Sequence, residues 1–246
     1  MKRMKIAIVS LTSCEGCCVA VLDAPMRFLA LQKKIDVVNF RLFEERDHEF
    51  DLYDITFVEG SPLTDSDITH LKQLRERSRV VVALGSCADM GGIYHLKSYQ
   101  DKKKIHNYVY NGVSGVENYD VKSLSEYVKI DFTVPGCPVN AAELFRFIYG
   151  LCIGKDPQVK QNPVCYECQA RGFECVLQKG EICLGPITQG GCGAVCLKSR
   201  QGCWGCRGLV EDAEIGNLVK QLREKHSDRE IVKTMEVFGI KERIKV

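Results

Sequence analysis

Three pairs of cysteines stand two residues apart, Cys14/Cys17, Cys165/Cys168 and Cys203/Cys206, and they limit what this chain can fold into more than any other feature. Of 14 cysteines in all, nine (Cys152, Cys165, Cys168, Cys175, Cys183, Cys192, Cys196, Cys203 and Cys206) fall between positions 152 and 206. Small secreted domains use cysteine at this density for disulfides. A two-residue gap suits another use. Both thiolates of a C-x-x-C turn can face one metal, whereas bridging them to each other closes a small, strained ring. The first 150 residues also read as an ordinary α/β domain, which needs no staples. Metal or cluster ligation is therefore the expected role.

Composition narrows the field. Hydrophobic residues make up 45% of the 246 positions, enough for a sizeable core and for two domains. The formal net charge is +2, with Lys and Arg scattered among Asp and Glu, so nucleic acid is not an expected partner. No apolar run approaches 18 residues, so no membrane-spanning helix is expected. The start of the chain, Met1-Lys2-Arg3 followed by an apolar run and Leu11-Thr12-Ser13-Cys14, has the outline of a lipoprotein signal. However, Ile6–Leu11 is at the short limit for such a signal, is β-branched like a buried strand, and follows no twin-arginine pair. Cys14, Cys17 and Cys18 are therefore read as part of a folded domain, at either a zinc site or the edge of an iron–sulfur cluster.

Strands are predicted at 5–11, 35–43, 53–61, 79–87 and 128–138. Helical spacing occupies 18–32, in spite of Pro25, and 64–78, where Thr64 is a candidate cap. It recurs at 139–151 and 213–227, while 101–106 (DKKKIH) reads as a solvated loop. Continuous apolar strands alternating with helices imply an α/β, flavodoxin-like, doubly wound parallel sheet. Ligands of such sheets bind outside the carboxyl ends of the strands. Cys14 and Cys17, Cys87 and Cys137 each follow a strand, so three segments bring four thiols to one rim. Gly85, Gly91 and Gly92 beside Cys87, and the stiff Pro135-Gly136-Cys137-Pro138 turn, fit that role. A buried core thiol remains the plainer reading of Cys87 and Cys137 taken singly. No phosphate-binding glycine loop follows the first strand. Cys18 is expected to point from the helix start into the core, and Cys152 to be a core residue. Glu15 and Glu59 are read as solvated or interface side chains.

After 155 the apolar periodicity fades while Pro and Gly become frequent, so the segment is expected to have little core and to fold around metals. The expected domains are 1–155 and 156–246, the second small and irregular. Its cysteines parse into Cys165, Cys168, Cys175 and Cys183, and Cys192, Cys196, Cys203 and Cys206. No histidine lies between 107 and 225, so both groups are all-thiolate. Two zinc ribbons and two iron–sulfur clusters both remain open on spacing alone.

The chain resembles the small subunits of [NiFe]-hydrogenases. The resemblance is carried by TSCEGCC (12–18), VEGS (58–61), ALGSCADMGGI (83–93), VPGCPVNAAEL (134–144), CLGPITQGGC (183–192) and GCWGC (202–206), in that order. Within that family it is most similar to the delta-type subunits of archaeal cytosolic, NADP-linked sulfhydrogenases. The resemblance implies three [4Fe–4S] clusters: a proximal one on Cys14, Cys17, Cys87 and Cys137, a medial one on Cys192, Cys196, Cys203 and Cys206, and a distal one on Cys165, Cys168, Cys175 and Cys183. Cys165 takes a place where many members have histidine. Cys196 stands where periplasmic members have proline and a three-iron cluster. The implied role is electron relay from the nickel–iron site of a large subunit to flavin- and NADP-binding and iron–sulfur partners. The expected setting is a cytoplasmic heterotetramer, with sulfur or polysulfide as a further acceptor. No C-x-x-C pair stands at the carboxyl end, as nickel ligands would require, so the nickel is expected elsewhere. The rival readings are the related cluster subunit of respiratory complex I, suggested by the adjacent Cys17-Cys18, and a non-redox zinc scaffold.

Overall fold

The structure is a computed structural model that describes residues 3–43, 52–117 and 120–244. It divides into two compact units, Met1–Gln158 and Val159–Val246.

In the first unit, strands β1 (Met4–Ser10), β2 (Ile35–Phe40), β3 (Tyr53–Glu59), β4 (Ser78–Leu84) and β5 (Phe132–Val134) form one parallel sheet in the order β2-β1-β3-β4-β5. This is the flavodoxin-like order, with its reversal between β1 and β3. The β-branched runs of β1, β3 and β4 are buried on both faces, as an all-parallel sheet covered by helices requires. Ala7, Val9, Val58, Val81 and Ala83 alternate onto one face, against Leu71, Leu74 and Leu124.

The predicted helix at 18–32 is two helices, α1 (Gly16–Leu22) and α2 (Pro25–Leu31). Proline lacks an N–H and clashes within a helix interior but suits the first turn, so the chain breaks at Asp23-Ala24 and restarts with Pro25. Helix α3 (Asp65–Glu76) starts where Thr64 Oγ1 accepts the Asp67 N–H at 3.1 Å. Helix α4 (Gly85–Met90) follows β4 directly. The expected loop at 101–106 is instead the start of α5 (Lys102–Tyr110), capped by Asp101, whose Oδ1 accepts the Lys104 N–H. Its lysine run hid an N-cap. Strand β5 is shorter than 128–138 and begins just after Asp131, whose Oδ2 accepts the Val81 N–H while its own N–H donates to Val81 O. Helix α6 (Ala141–Cys152) is capped by Asn140.

The second unit contains α7 (Val164–Ala170), α8 (Val195–Lys198), α9 (Ile215–Leu222), α10 (Asp228–Glu236) and α11 (Ile240–Arg243). It has more core than its sequence suggests. Leu218, Leu222, Ile231, Met235 and Ile240 from the last three helices bury Leu184 and Ile187 of the cysteine-rich segment. Gly205 permits this contact, since a Cβ there would stand 2.0 Å from Ile240 Cδ1. Among the described residues, no helix is long and apolar enough to cross a membrane.

Candidate metal centres

All fourteen cysteines are free thiols. In the first unit the loops after β1, β3, β4 and β5 meet at the carboxyl edge of the sheet. Ser61 N–H donates to Thr12 O (3.0 Å), Ser61 Oγ–H to Cys87 O (2.9 Å) and Ser86 N–H to Gly136 O (2.8 Å). Thr12 Oγ1 donates to Asp67 Oδ2 at 2.7 Å, tying the first loop to α3. Each cysteine-bearing loop is thus fixed by a neighbour's backbone, which sets the thiols without help from their own flexible side chains.

This edge brings Cys14, Cys17, Cys87 and Cys137 within electrostatic reach of one another. Burial, then the charges of Cys137, Cys14 and Glu59, push the Cys87 thiol up to about 12. Burial and Glu59 raise Cys17, with smaller contributions from Cys137 and Cys87, and burial followed by Cys14 raises Cys137. Cys17 is buried and Cys87 partly so, while Cys14 and Cys137 are exposed; thiolates held this close together need a compensating cation. Glycines let the backbone close on the sulfurs: a Cβ at Gly85 would stand 2.4 Å from Cys17 Sγ, and one at Gly92 would stand 2.8 Å from Cys87 Sγ.

Cys18 lies outside this set. It is 1% exposed, its Sγ lies 3.4 Å from Ser10 Oγ, and burial followed by Glu59 raises its pKa. Cys152, expected in the core, is only half-buried at the end of α6. Glu59 is not solvated but 3% exposed, and accepts the N–H groups of Cys17 (Oε1, 3.2 Å) and Cys18 (Oε2, 2.9 Å). The signal for it was present: an acid ending a continuous apolar strand must find donors if it is buried. Glu15 has φ 59° and pairs with Arg41 at 2.9 Å.

In the second unit Cys165, Cys168, Cys175 and Cys183 line one small apolar hollow with Val176 and Leu197. Burial, then Cys183, Cys168 and Cys175, push Cys165 up to about 12. The other four are tied less directly. After burial, Cys192 and then Cys183 raise Cys196. Burial raises Cys203 against the Gly205 N–H, with Cys183 and then Cys206 adding to it. Cys192 is thus linked to Cys196 and Cys203 to Cys206, and Cys183 adjoins both pairs.

Sequence reasoning missed a partly buried acid, Glu167, between Cys165 and Cys168 in α7. Its Oε2 accepts the Gly193 N–H at 2.8 Å, and Lys160 Nζ lies 3.6 Å from Oε1. Burial opposes its charge, but the N–H groups of Gly191 and Gly193, then Lys160 and Arg207, outweigh that and hold its pKa below the usual value. Arg207, 1% exposed, donates from Nε to Gly190 O at 2.8 Å. Glu167 and Arg207 thereby grip the glycine loop that delivers Cys192.

The donor sets are all-sulfur, which fits iron–sulfur clusters or zinc. A single ion needs its donors around one point. Among the described residues no three His, Cys, Asp or Glu side chains are placed to hold one.

Residues 14–151, more than half of the chain, match the family model described as NADH ubiquinone oxidoreductase, 20 Kd subunit. Sulfhydrogenase 2 subunit delta of Pyrococcus furiosus is 34% identical over 96% of this chain and 99% of its own. The chain belongs to the [NiFe]-hydrogenase small subunit family. Another similar member is the NAD-reducing hydrogenase HoxS subunit delta of Cupriavidus necator, 25% identical over 62% of this chain and 80% of its own. An actinobacterial-type NiFe-hydrogenase from Ralstonia eutropha H16 shares the small-subunit fold, with a TM-score of 0.59, 16% identity, and coverage of 96% of this chain and 89% of that one. This small subunit is thus part of an oxidoreductase.

Proposed function

We propose that this chain is the electron-transfer small subunit of a soluble, cytoplasmic [NiFe]-hydrogenase. It would relay electrons between the nickel–iron site of a large subunit and flavin- and iron–sulfur-containing partners linked to NADP(H), with sulfur or polysulfide as a further acceptor. Cys14, Cys17, Cys87 and Cys137 would hold the proximal [4Fe–4S] cluster; Cys192, Cys196, Cys203 and Cys206 the medial; and Cys165, Cys168, Cys175 and Cys183 the distal. The first unit would bind one cluster and the second unit two. Bound clusters supply one-electron redox steps at potentials set by charge, hydrogen bonds and exposure. The chain's own residues fix the thiols and give hydrogen bonds to sulfur.

The observation that carries this reading is the sheet edge, where loops tied together by hydrogen bonds bring four thiols from three segments close to one another, Cys17 buried, Cys87 partly buried and Cys14 and Cys137 open to the surface. The full-length likeness to the P. furiosus sulfhydrogenase 2 subunit delta supports a place within a multi-subunit hydrogenase. Anaerobic metal analysis of the small subunit separated from its partners tests it. About 12 iron and 12 acid-labile sulfide per small subunit are expected from three four-iron clusters. About four iron would favour the single-cluster complex I type, and zinc without iron would overturn a redox role.

A further inference from the structure

We propose that Cys183 and Cys203 form a hydrogen-bonded bridge that couples the two cluster sites of the second unit and raises the potential of the centre held by Cys183. The inference rests on the reading of Cys183 as a distal ligand and Cys203 as a medial one.

The backbone N–H of Cys203 donates to Cys183 Sγ at 3.2 Å. The adjacent Leu184 N–H donates back to Cys203 O at 2.9 Å, so the two segments are clamped in both directions. A second donor, Gly185 N–H, reaches the same sulfur at 3.4 Å. Both cysteines are buried. Water therefore cannot replace these bonds, and in a low-dielectric site each N–H···S contact counts for more than it would at the surface.

Two glycines make the contact possible. A Cβ at Gly202 would stand 1.9 Å from Ile182 O, so any other residue there forces the strand of Cys203 away from Cys183. A Cβ at Gly185 would stand 3.3 Å from Cys183 Sγ, 3.5 Å from Cys165 Sγ and 3.7 Å from Cys203 Cβ, in the seam between the two thiol groups. The spacing of the motif CLGPITQGGC…GCWGC is thus explained at two positions that ligate nothing.

Two consequences follow. Donors aimed at a ligand sulfur favour the more negative, reduced form of the centre, so they raise its potential. The path from one sulfur to the other runs through the side chain and N–H of Cys203 and one hydrogen bond, with no gap of solvent or loose side chain. One electron crosses; no covalent bond forms or breaks, and the amide proton stays on Cys203 N.

The test uses the native hydrogenase complex, prepared anaerobically with wild-type, Gly202→Ala or Gly185→Ala small subunit. Iron and sulfide analysis comes first and judges the cluster reading by itself: a wild-type complex without the distal and medial clusters overturns that reading and the bridge with it. EPR-monitored redox titration then judges the bridge. Gly202→Ala should keep its iron, shift a single centre to lower potential by about tenfold in its oxidised-to-reduced ratio (about 59 mV for one electron), and weaken the magnetic coupling between that centre and its neighbour. Where Gly202→Ala fails to assemble, Gly185→Ala decides, because its Cβ crowds the sulfur by only a few tenths of an ångström; the same centre should move in the same direction by a smaller amount. Full iron with every potential and coupling unchanged in the deciding variant overturns the proposal.

Discussion

Glu59 Oε2 accepts the backbone N–H of Cys18 at 2.9 Å, from the end of β3 to the first turn of α1. Its other oxygen takes the N–H of Cys17 at 3.2 Å. One buried carboxylate therefore caps the helix that carries a proposed ligand, and locks Cys17 and Cys18 to opposite fates: Cys17 among the rim thiols, Cys18 beside Ser10. Glu59→Ala leaves two buried donors unpaired and is expected to cost about 1–3 kcal/mol for each group left unsatisfied. Glu59→Gln restores one acceptor and should recover part of that. Urea unfolding midpoints measure both, and equal stability of Glu59→Ala and wild type would mean the cap is immaterial.

Gly85 is the closest approach of backbone to sulfur on the rim. Its φ is +84°, and an added Cβ would meet Cys17 Sγ at 2.4 Å and Gly136 O at 3.3 Å. Gly85→Ala should displace Cys17 and remove the proximal cluster while the second unit keeps its own. Iron should then fall from about 12 to about 8 per chain. An unchanged iron content would count against the rim as a cluster site.

Much of this is legible in the sequence. β1, β3 and β4 are unbroken apolar runs, and burial on both faces demands such runs. The meeting of Cys14, Cys17, Cys87 and Cys137 at one sheet edge follows from the rule that a parallel sheet gathers its loops for binding at the carboxyl ends of its strands, while their ligation of a cluster is the proposal made above. What escapes a sequence reading depends on long-range pairing. Glu59 and Glu167 look like solvated acids because their donors are N–H groups, which leave no trace in composition. The core of the second unit is hidden because its apolar residues come from two regions, Leu184 and Ile187 on one side and Leu218 through Ile240 on the other, with polar turns between. The helix at Lys102–Tyr110 is masked by three lysines, although Asp101 ahead of it is a favoured cap.

Cys196 is the second residue of α8, in the first helical turn, where proline is tolerated because its missing N–H has no helical partner. Cys196→Pro is therefore expected to fold, and to remove one thiol from the proposed medial set. About one iron per chain should be lost, and a three-iron signal should arise in the oxidised EPR spectrum. No new signal in a sample that keeps its remaining iron would reassign Cys196 and with it the grouping of the second unit.

Asp131 offers a test of the first unit by pH. Its Oδ2 accepts the Val81 N–H at 2.9 Å and the Arg75 Nη1 at 2.5 Å, and Lys129 lies 3.7 Å from Oδ1. Burial opposes the charge, but the Val81 N–H and Arg75, with Lys129, overcome it and hold the pKa below the usual 3.8. A carboxylate with a depressed folded pKa binds protons less readily when folded than when unfolded. Its contribution is therefore complete above about 3.8 and is lost as pH falls through the lower folded value. Asp131→Asn removes the charge at every pH. The gap in urea midpoint between wild type and variant should hold from pH 7 to about 5 and close below 3.8. Acid-labile iron leaves both chains alike, so the gap isolates the aspartate. A gap that widens on acidification would mean that Asp131 is charged at a net cost, contrary to the contacts it makes.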